Sequence, residues 1–345
     1  MKALAIALVG TILLNAASLT PVYTNNDFQI TGVSMSPSAR MFVNFPRWSD
    51  RYLNAVIEVD KSGTGKPFPN EEWNRWDGKP DTAKTHFVCV QSVVADDTDT
   101  LWIVDPAAPN FGLTIQPAAK LVTVNLKTNQ VTRVYTFTPE IVKPATYLND
   151  IRIDTKRHTA YLTDSGVGGL IVVDTQSGKA HRALDGDKSV MKEAGISISV
   201  NGKPVLQNGK PPQFNSDAIA LSPDGDYLYY QALTGATMYR VKTEALRNGN
   251  TPIPELFAKT FPLDGIWMDK QGRLYLSNIN ESAIYRMSLD KKLEKVAQSP
   301  DLEWPDTFTQ GPDGSIYITS SHINDMPRFH EGKSTRTKPY AIFKM

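Results

Sequence analysis

One cysteine, Cys89, stands in a chain of 345 residues. No internal disulfide can form, so the fold must be held by its core alone. The setting of that cysteine, Phe87-Val88-Cys89-Val90, is apolar and reads as a small buried hydrophobe, not a nucleophile. Net charge is as scarce, with 37 Lys and Arg against 36 Asp and Glu. Nothing in that balance suggests nucleic acid or an anionic membrane surface as a partner. Histidine is sparse (His86, His158, His181, His322 and His330), and no His-x-x-x-His or Cys/His pairing offers a dedicated zinc site. No Gly-x-Ser-x-Gly elbow supports a serine hydrolase. The glycine-rich Asp164-Ser165-Gly166-Val167-Gly168-Gly169 opens a strand, not a helix, which argues against a phosphate cradle. Long apolar runs are also wanting. Ala3 to Leu14 falls short of the ~20 helical residues that span a bilayer. With Lys2 before it and Ala16-Ala17-Ser18 after it, this run has the layout of a secretory signal over residues 1–18, cleaved near Ala17. Residues 19–345 are then expected as one exported domain, secreted or periplasmic, and the lack of disulfides leans towards a periplasm.

What is present is repetition. A short strand, a turn, and an alternating apolar stretch ending in aromatics recur six times. The copies include Met41-Phe42, Leu101-Trp102, Ala160-Tyr161, Leu228-Tyr229, Leu274-Tyr275 and Ile316-Tyr317. Their spacing, roughly 42 to 67 residues, matches propeller blades. The apolar period is two nearly throughout, which is strand patterning. A lone repeat of this kind cannot bury its own faces, so the copies must stack around an axis and close. The expected fold class is therefore all-β, a six-bladed β-propeller. The chain stops at the third strand of its last copy, so the segment around Pro21 to Phe28 is expected to supply the missing outer strand. One stretch, residues 196–214, breaks the rhythm between the third and fourth copies with two similar turns, Asn201-Gly202-Lys203-Pro204 and Asn208-Gly209-Lys210-Pro211. Insertions of this length in a compact domain tend to be lids or binding loops.

Polar residues open each inner strand, and in a propeller those strand starts converge on one mouth of the channel. Here they supply Gln91, Asn149, Asp150, Asp217, Asp264 and Asp306, with Ser92, Ser216 and Thr307 between them. Carboxylates brought this close repel one another unless a cation, a basic ligand or a proton intervenes. Ca²⁺ or another divalent cation is one answer, held by carboxylate and amide oxygens. A cationic or hydroxyl-rich organic ligand flanked by aromatics is the other. An Asp at a blade start also caps turns, so a single one proves little and the set carries the argument. His86 precedes the second inner strand and His322 follows the last aromatic strand, so both are candidates to approach a mouth of the channel.

Asn215-Ser216-Asp217-Ala218-Ile219-Ala220-Leu221-Ser222-Pro223-Asp224-Gly225, running on to Leu228-Tyr229-Tyr230-Gln231-Ala232-Leu233, resembles the central passage of the Yellow / major royal jelly protein family. Leu148-Asn149-Asp150-Ile151-Arg152-Ile153-Asp154 resembles that family's third blade. The resemblance extends in outline from about residue 30 to the C-terminus and implies a six-bladed propeller, export, and a ligand-holding channel. Dopachrome conversion and the binding of aromatic amines are among the activities it implies. On that reading a small aromatic amine or quinone-like molecule occupies the channel of a monomer, and Asp217 or Asp264 moves a proton if the protein is an isomerase related to L-dopachrome tautomerase. A more distant resemblance, to the gluconolactonase / senescence-marker propellers, implies a divalent-metal-dependent lactonase with Asn149 and Asp217 as metal ligands. The Glu that those propellers carry in their first blade is replaced here by Thr31. A non-catalytic binding propeller is the third expectation.

Overall fold

In the computed structural model, residues 17–49 and 51–345 are described. The expected signal segment, 1–18, lies outside them except for Ala17 and Ser18. The described residues form six four-stranded antiparallel sheets and one two-stranded hairpin. Their innermost strands are Gly32–Met35, Ser92–Ala95, Leu148–Asp154, Ser216–Leu221, Leu263–Met268 and Pro305–Gln310. Each of these abuts the inner strand of the next blade, and the sixth returns to abut the first. The ring is therefore closed, a six-bladed β-propeller.

The apolar patterning explains the stacking. Each strand alternates, so a blade has two apolar faces, and six clusters of buried side chains fill the gaps between neighbouring blades. Between blades 2 and 3, for example, Val104 and Leu121 meet Ile151 and Leu162. The last blade takes its outer strand from the opposite end of the chain. Thr20–Asn25 pairs antiparallel with Tyr340–Lys344, from Thr20 opposite Lys344 to Asn25 opposite Tyr340. That pairing covers the backbone edge which Tyr340–Lys344 would otherwise leave open.

Residues 196–214 run between the outer strand of blade 3, Ala180–Ala183, and the inner strand of blade 4. Ser199–Val200 and Lys203–Pro204 form a two-residue hairpin around Asn201 and Gly202, both with positive φ (50° and 77°). Ile198, Val200 and Val205 of this insertion pack on Leu233, Ile279, Trp304, Ile323 and Met326. This seventh cluster lies among the loops that gather where the inner strands begin. Among the described residues no helix is long and apolar enough to cross a membrane.

Candidate functional site

The inner strands differ in one respect that aims their side chains. In blades 3 to 6 the pairing of the first and second strands slips at the start, between Leu148 and Ile151, Ser216 and Ala218, Leu263 and Ile266, and Pro305 and Phe308. Blades 1 and 2 keep an unbroken register. A bulge frees one residue from the ladder and redirects its neighbours. Asn149 and Asp150, Asp217, Asp264, and Asp306 occupy these four bulges, which explains how charged residues inside strands come to face the axis.

The amides that a bulge frees are captured by hydroxyls on the second strand. Asp150 N donates to Thr163 Oγ1 (3.2 Å), Asp264 N and Gly265 N donate to Ser277 Oγ (3.1 and 2.9 Å), and Thr307 N donates to Thr319 Oγ1 (3.0 Å). Two of those hydroxyls then donate to the next blade: Thr163 to the carbonyl of Asp217 (2.6 Å) and Thr319 to that of Thr31 (3.2 Å). The bulge of blade 3 is thus tied to blade 4 and that of blade 6 to blade 1, which stiffens the frame that holds the inward side chains. Gly265 is required there because a Cβ would sit 2.0 Å from the Asp306 carbonyl oxygen.

At the mouth formed by the inner-strand starts lies a cavity of about 440 Å³. Its lining includes Gln91, Asn149, Asp217 and Asp264 on the floor and Trp48, Phe111, Tyr147, Phe214 and Trp304 on the walls. Trp48 stacks on Phe111 with ring centres 4.3 Å apart, and Phe111 lies nearly parallel to Tyr147 at 6.4 Å. A chain of hydrogen bonds runs from this aromatic wall across the floor. Trp48 Nε1 donates to Tyr147 Oη (2.8 Å), Tyr147 Oη to Gln91 Oε1 (2.9 Å), and Gln91 Nε2 to Asn149 Oδ1 (3.4 Å). Asn149 Nδ2 then donates to Asp217 Oδ2 (2.7 Å). From the far side Trp304 Nε1 donates to Asp264 Oδ2 (2.6 Å).

Asp217 and Asp264 lie close enough on the floor for the ionisation of each to bear on the other. Burial pushes the Asp217 carboxyl well above the usual carboxylate range, and the charges of Asp264, Asp150 and Asp306 push it further. Asp264 is also raised by burial, but the indole N–H of Trp304 holds it to about 7. Both carboxyls are raised, so the pair as a unit keeps a proton to higher pH than a free carboxylate does. Two adjacent carboxyls with different environments are an acid and a base. Asp306 is raised by burial and by the charges of Asp264 and Asp150, and bonds Ser321 Oγ (3.2 Å) and Thr307 Oγ1 (3.3 Å). Asp150 is raised by burial, countered by Arg152, whose Nη2 lies 3.7 Å from its Oδ2. Asp150 and Asp306 are buried beyond the cavity lining and act on it through charge. Among the described residues no Lys or Arg forms an ion pair with Asp217, Asp264 or Asp306.

The two histidines are placed elsewhere. His86 turns its Nδ1 to the Thr82 carbonyl (2.9 Å) in the link between blades 1 and 2 and does not line the cavity. His322 is buried, with Nδ1 3.2 Å from Asp325 Oδ2 and 3.5 Å from Glu303 Oε2. Glu303, His322 and Asp325 converge closely enough to hold a metal ion, next in sequence to Trp304 and Ile323 of the cavity wall. For Asn149 and Asp217 as a metal pair, the arrangement fits poorly. The amide turns its N–H to Asp217 and its oxygen to Gln91, so two oxygens do not converge on one point. The first-blade position is filled by Thr31, whose hydroxyl is spent on the Gln91 carbonyl (3.1 Å) and supplies no charge.

Sequence reasoning missed the aromatic half of the site. Its signal was nonetheless present: Tyr147, Phe214 and Trp304 each stand two or three residues before an inward polar residue, Asn149, Asp217 or Asp306. Trp48 and Phe111 carry no such mark, since they arrive on loops from blades 1 and 2.

The sequence model described as Major royal jelly protein matches residues 88–337. No curated protein sequence matches the chain. Among solved structures, the calcium-binding protein regucalcin from Agrobacterium tumefaciens is 16% identical, with a TM-score of 0.58 over 96% of this chain and 93% of its own. A gluconolactonase from Xanthomonas campestris is 11% identical, with a TM-score of 0.57 over 96% and 98%. Virginiamycin B lyase from Staphylococcus aureus is 14% identical, with a TM-score of 0.51 over 88% and 82%. At such identities these likenesses establish the propeller fold and leave the chemistry open.

Proposed function

The chain belongs to the major royal jelly protein family, and from that premise we propose that it is an exported propeller which binds a small aromatic amine or quinone-like molecule in its channel mouth. One observation carries the reading: the buried Asp217–Asp264 pair, which among the described residues has no Lys or Arg partner, lies on the floor of a cavity walled by Trp48, Phe111 and Tyr147. An ammonium group offers the positive charge that those carboxyls lack, and an aromatic ring suits the stacked wall. The same pair supports isomerase chemistry of the dopachrome type. Asp264, with a pKa near neutrality, takes a proton from a ring carbon, and Asp217 returns one to a ring oxygen. No net redox change is involved, as a tautomerisation requires.

A metal-dependent lactonase is less well served, because the Asn149 amide donates to Asp217 instead of presenting an oxygen beside it. The test is calorimetric titration with dopamine and tryptamine, followed by spectroscopic measurement of dopachrome decay. Binding that falls at least tenfold in Asp217→Asn and Asp264→Asn supports the proposal. A protein that binds none of these compounds, or whose variants bind as well as the parent, overturns it.

A further inference from the structure

Arg328 is the cation of this cavity, and the floor does not use it. It lies in a single turn, Pro327–Phe329, within the long loop that leads from the second to the third strand of blade 6. Its guanidinium sits over the Phe111 ring, with Cζ 3.9 Å from the centroid, and Phe111 is itself stacked on Trp48. Nη2 donates to Gln207 Oε1 of the insertion (3.1 Å). Nη1 is buried and has no acceptor among the described residues. Among the described residues no carboxylate forms an ion pair with Arg328, although the other arginines of this chain that are comparably enclosed, Arg152 and Arg182, each have one.

A buried donor without an acceptor costs free energy, and a charged one costs more. Stacking on Phe111 and the clasp to Gln207 hold the guanidinium in one place, so it stays fixed at the wall instead of turning to solvent. A planar guanidinium presents paired N–H groups whose spacing suits the two oxygens of a carboxylate. The cavity thus carries opposite charges at two places: carboxyls at the floor and a guanidinium at the aromatic wall.

We propose that Arg328 is a specificity residue that binds a carboxylate of the ligand, so that the preferred ligand is an aromatic α-amino acid or a ring-closed derivative of one, not a simple arylamine. This rests on the reading of the cavity as an aromatic-amine site. The ring lies within the aromatic lining of the cavity, the amine meets Asp217 and Asp264, and the acid group supplies the acceptor that Arg328 Nη1 lacks. Phe111 serves both ends, stacking on Trp48 and carrying the guanidinium.

The experiment uses matched pairs that differ by one carboxylate, tyramine with L-tyrosine and tryptamine with L-tryptophan. To these is added 3-(4-hydroxyphenyl)propionate, which has the acid and no amine. Binding is measured by calorimetry on the parent protein, Arg328→Gln and Arg328→Lys, with circular dichroism to show that each variant is folded. The parent is expected to favour the carboxylated member of each pair by tenfold or more. In Arg328→Gln that preference should fall to near unity while tyramine binds within about twofold of its parent affinity. Arg328→Lys, which keeps the charge and loses the fork, should recover only part of the preference. Equal binding of both members by the parent overturns the proposal, as does a preference that survives in folded Arg328→Gln. Binding of tyramine without any preference for tyrosine sinks this inference alone. Binding of the propionate that depends on Arg328, with no contribution from the amine, sinks the amine reading alone.

Discussion

Replacing Asp264 by Asn should stabilise the protein, and do so only above acidic pH. The carboxyl is held at about 7 against 3.8 in an unfolded chain, with burial the main cause. Because the folded value is the higher, the native state binds the extra proton. Its stabilising effect is complete below pH 3.8 and is lost as pH rises through about 7. At ~1.4 kcal/mol for each tenfold step in the proton equilibrium, holding this group ionised costs ~4 kcal/mol at pH 8, a ceiling that water in the cavity lowers. Asparagine avoids the charge. Its oxygen can still accept from Trp304 Nε1. Unfolding entropy of ~2.1 cal/mol/K per residue gives about 0.7 kcal/mol/K for a chain of this length, so ~4 kcal/mol corresponds to ~6 °C at most. Thermal unfolding followed by circular dichroism from pH 4 to 9 measures this directly. Asp264→Asn should melt several degrees above the parent at pH 8 and within about 1–2 °C of it at pH 4, by the same proton linkage. A variant that melts below the parent at pH 8 would refute the reasoning, as would a gap that does not depend on pH. Either result would mean that the floor carboxyls are stabilised by something other than shared protons.

Two further outcomes test the frame beneath the site. Thr163→Val removes the hydroxyl that accepts from Asp150 N and donates to the Asp217 carbonyl, leaving two buried groups unpaired. Each such group costs ~1–3 kcal/mol, so urea unfolding should show a loss of at least ~2 kcal/mol. Lys120→Met leaves the fully buried Asp105 carboxylate without its ammonium, 2.8 Å away in the parent. A loss of ~3–5 kcal/mol is expected, and a change below 1 kcal/mol would show that the amides of Val88, Cys89 and Ala107 suffice for that charge.

Much of this architecture can be read from local pattern, because a propeller is built from neighbours. Alternation within ten residues makes each strand, a turn such as Ser222-Pro223-Asp224-Gly225 joins it to the next, and six copies leave few ways to bury twelve apolar faces. The acidic ring was legible for the same reason. Asn149, Asp217, Asp264 and Asp306 stand at one position of the repeat, and symmetry brings equal positions together. What repetition cannot convey is what breaks it. Trp48, Phe111 and Arg328 come from loops of three different blades, and their approach to one another depends on loop conformations that obey no period.

Histidine shows the same limit from the other side. His86 and His322 stand in similar places along the chain, near the start of an inner strand and the end of a second strand, yet neither lines the cavity. The link carrying His86 folds back on Thr82, and a left-handed backbone at His322 (φ 48°) turns its ring towards Glu303 and Asp325. The linear order of residues determined the sheets, their number, their ring and the inward acids, since each follows from hydrophobic burial repeated at a fixed interval. Tertiary structure alone decided how strongly burial raises the inward carboxyls and which aromatics and cation face them. Those depend on distances of a few ångströms between segments far apart in the chain, and electrostatic energies in a buried site change steeply over such distances.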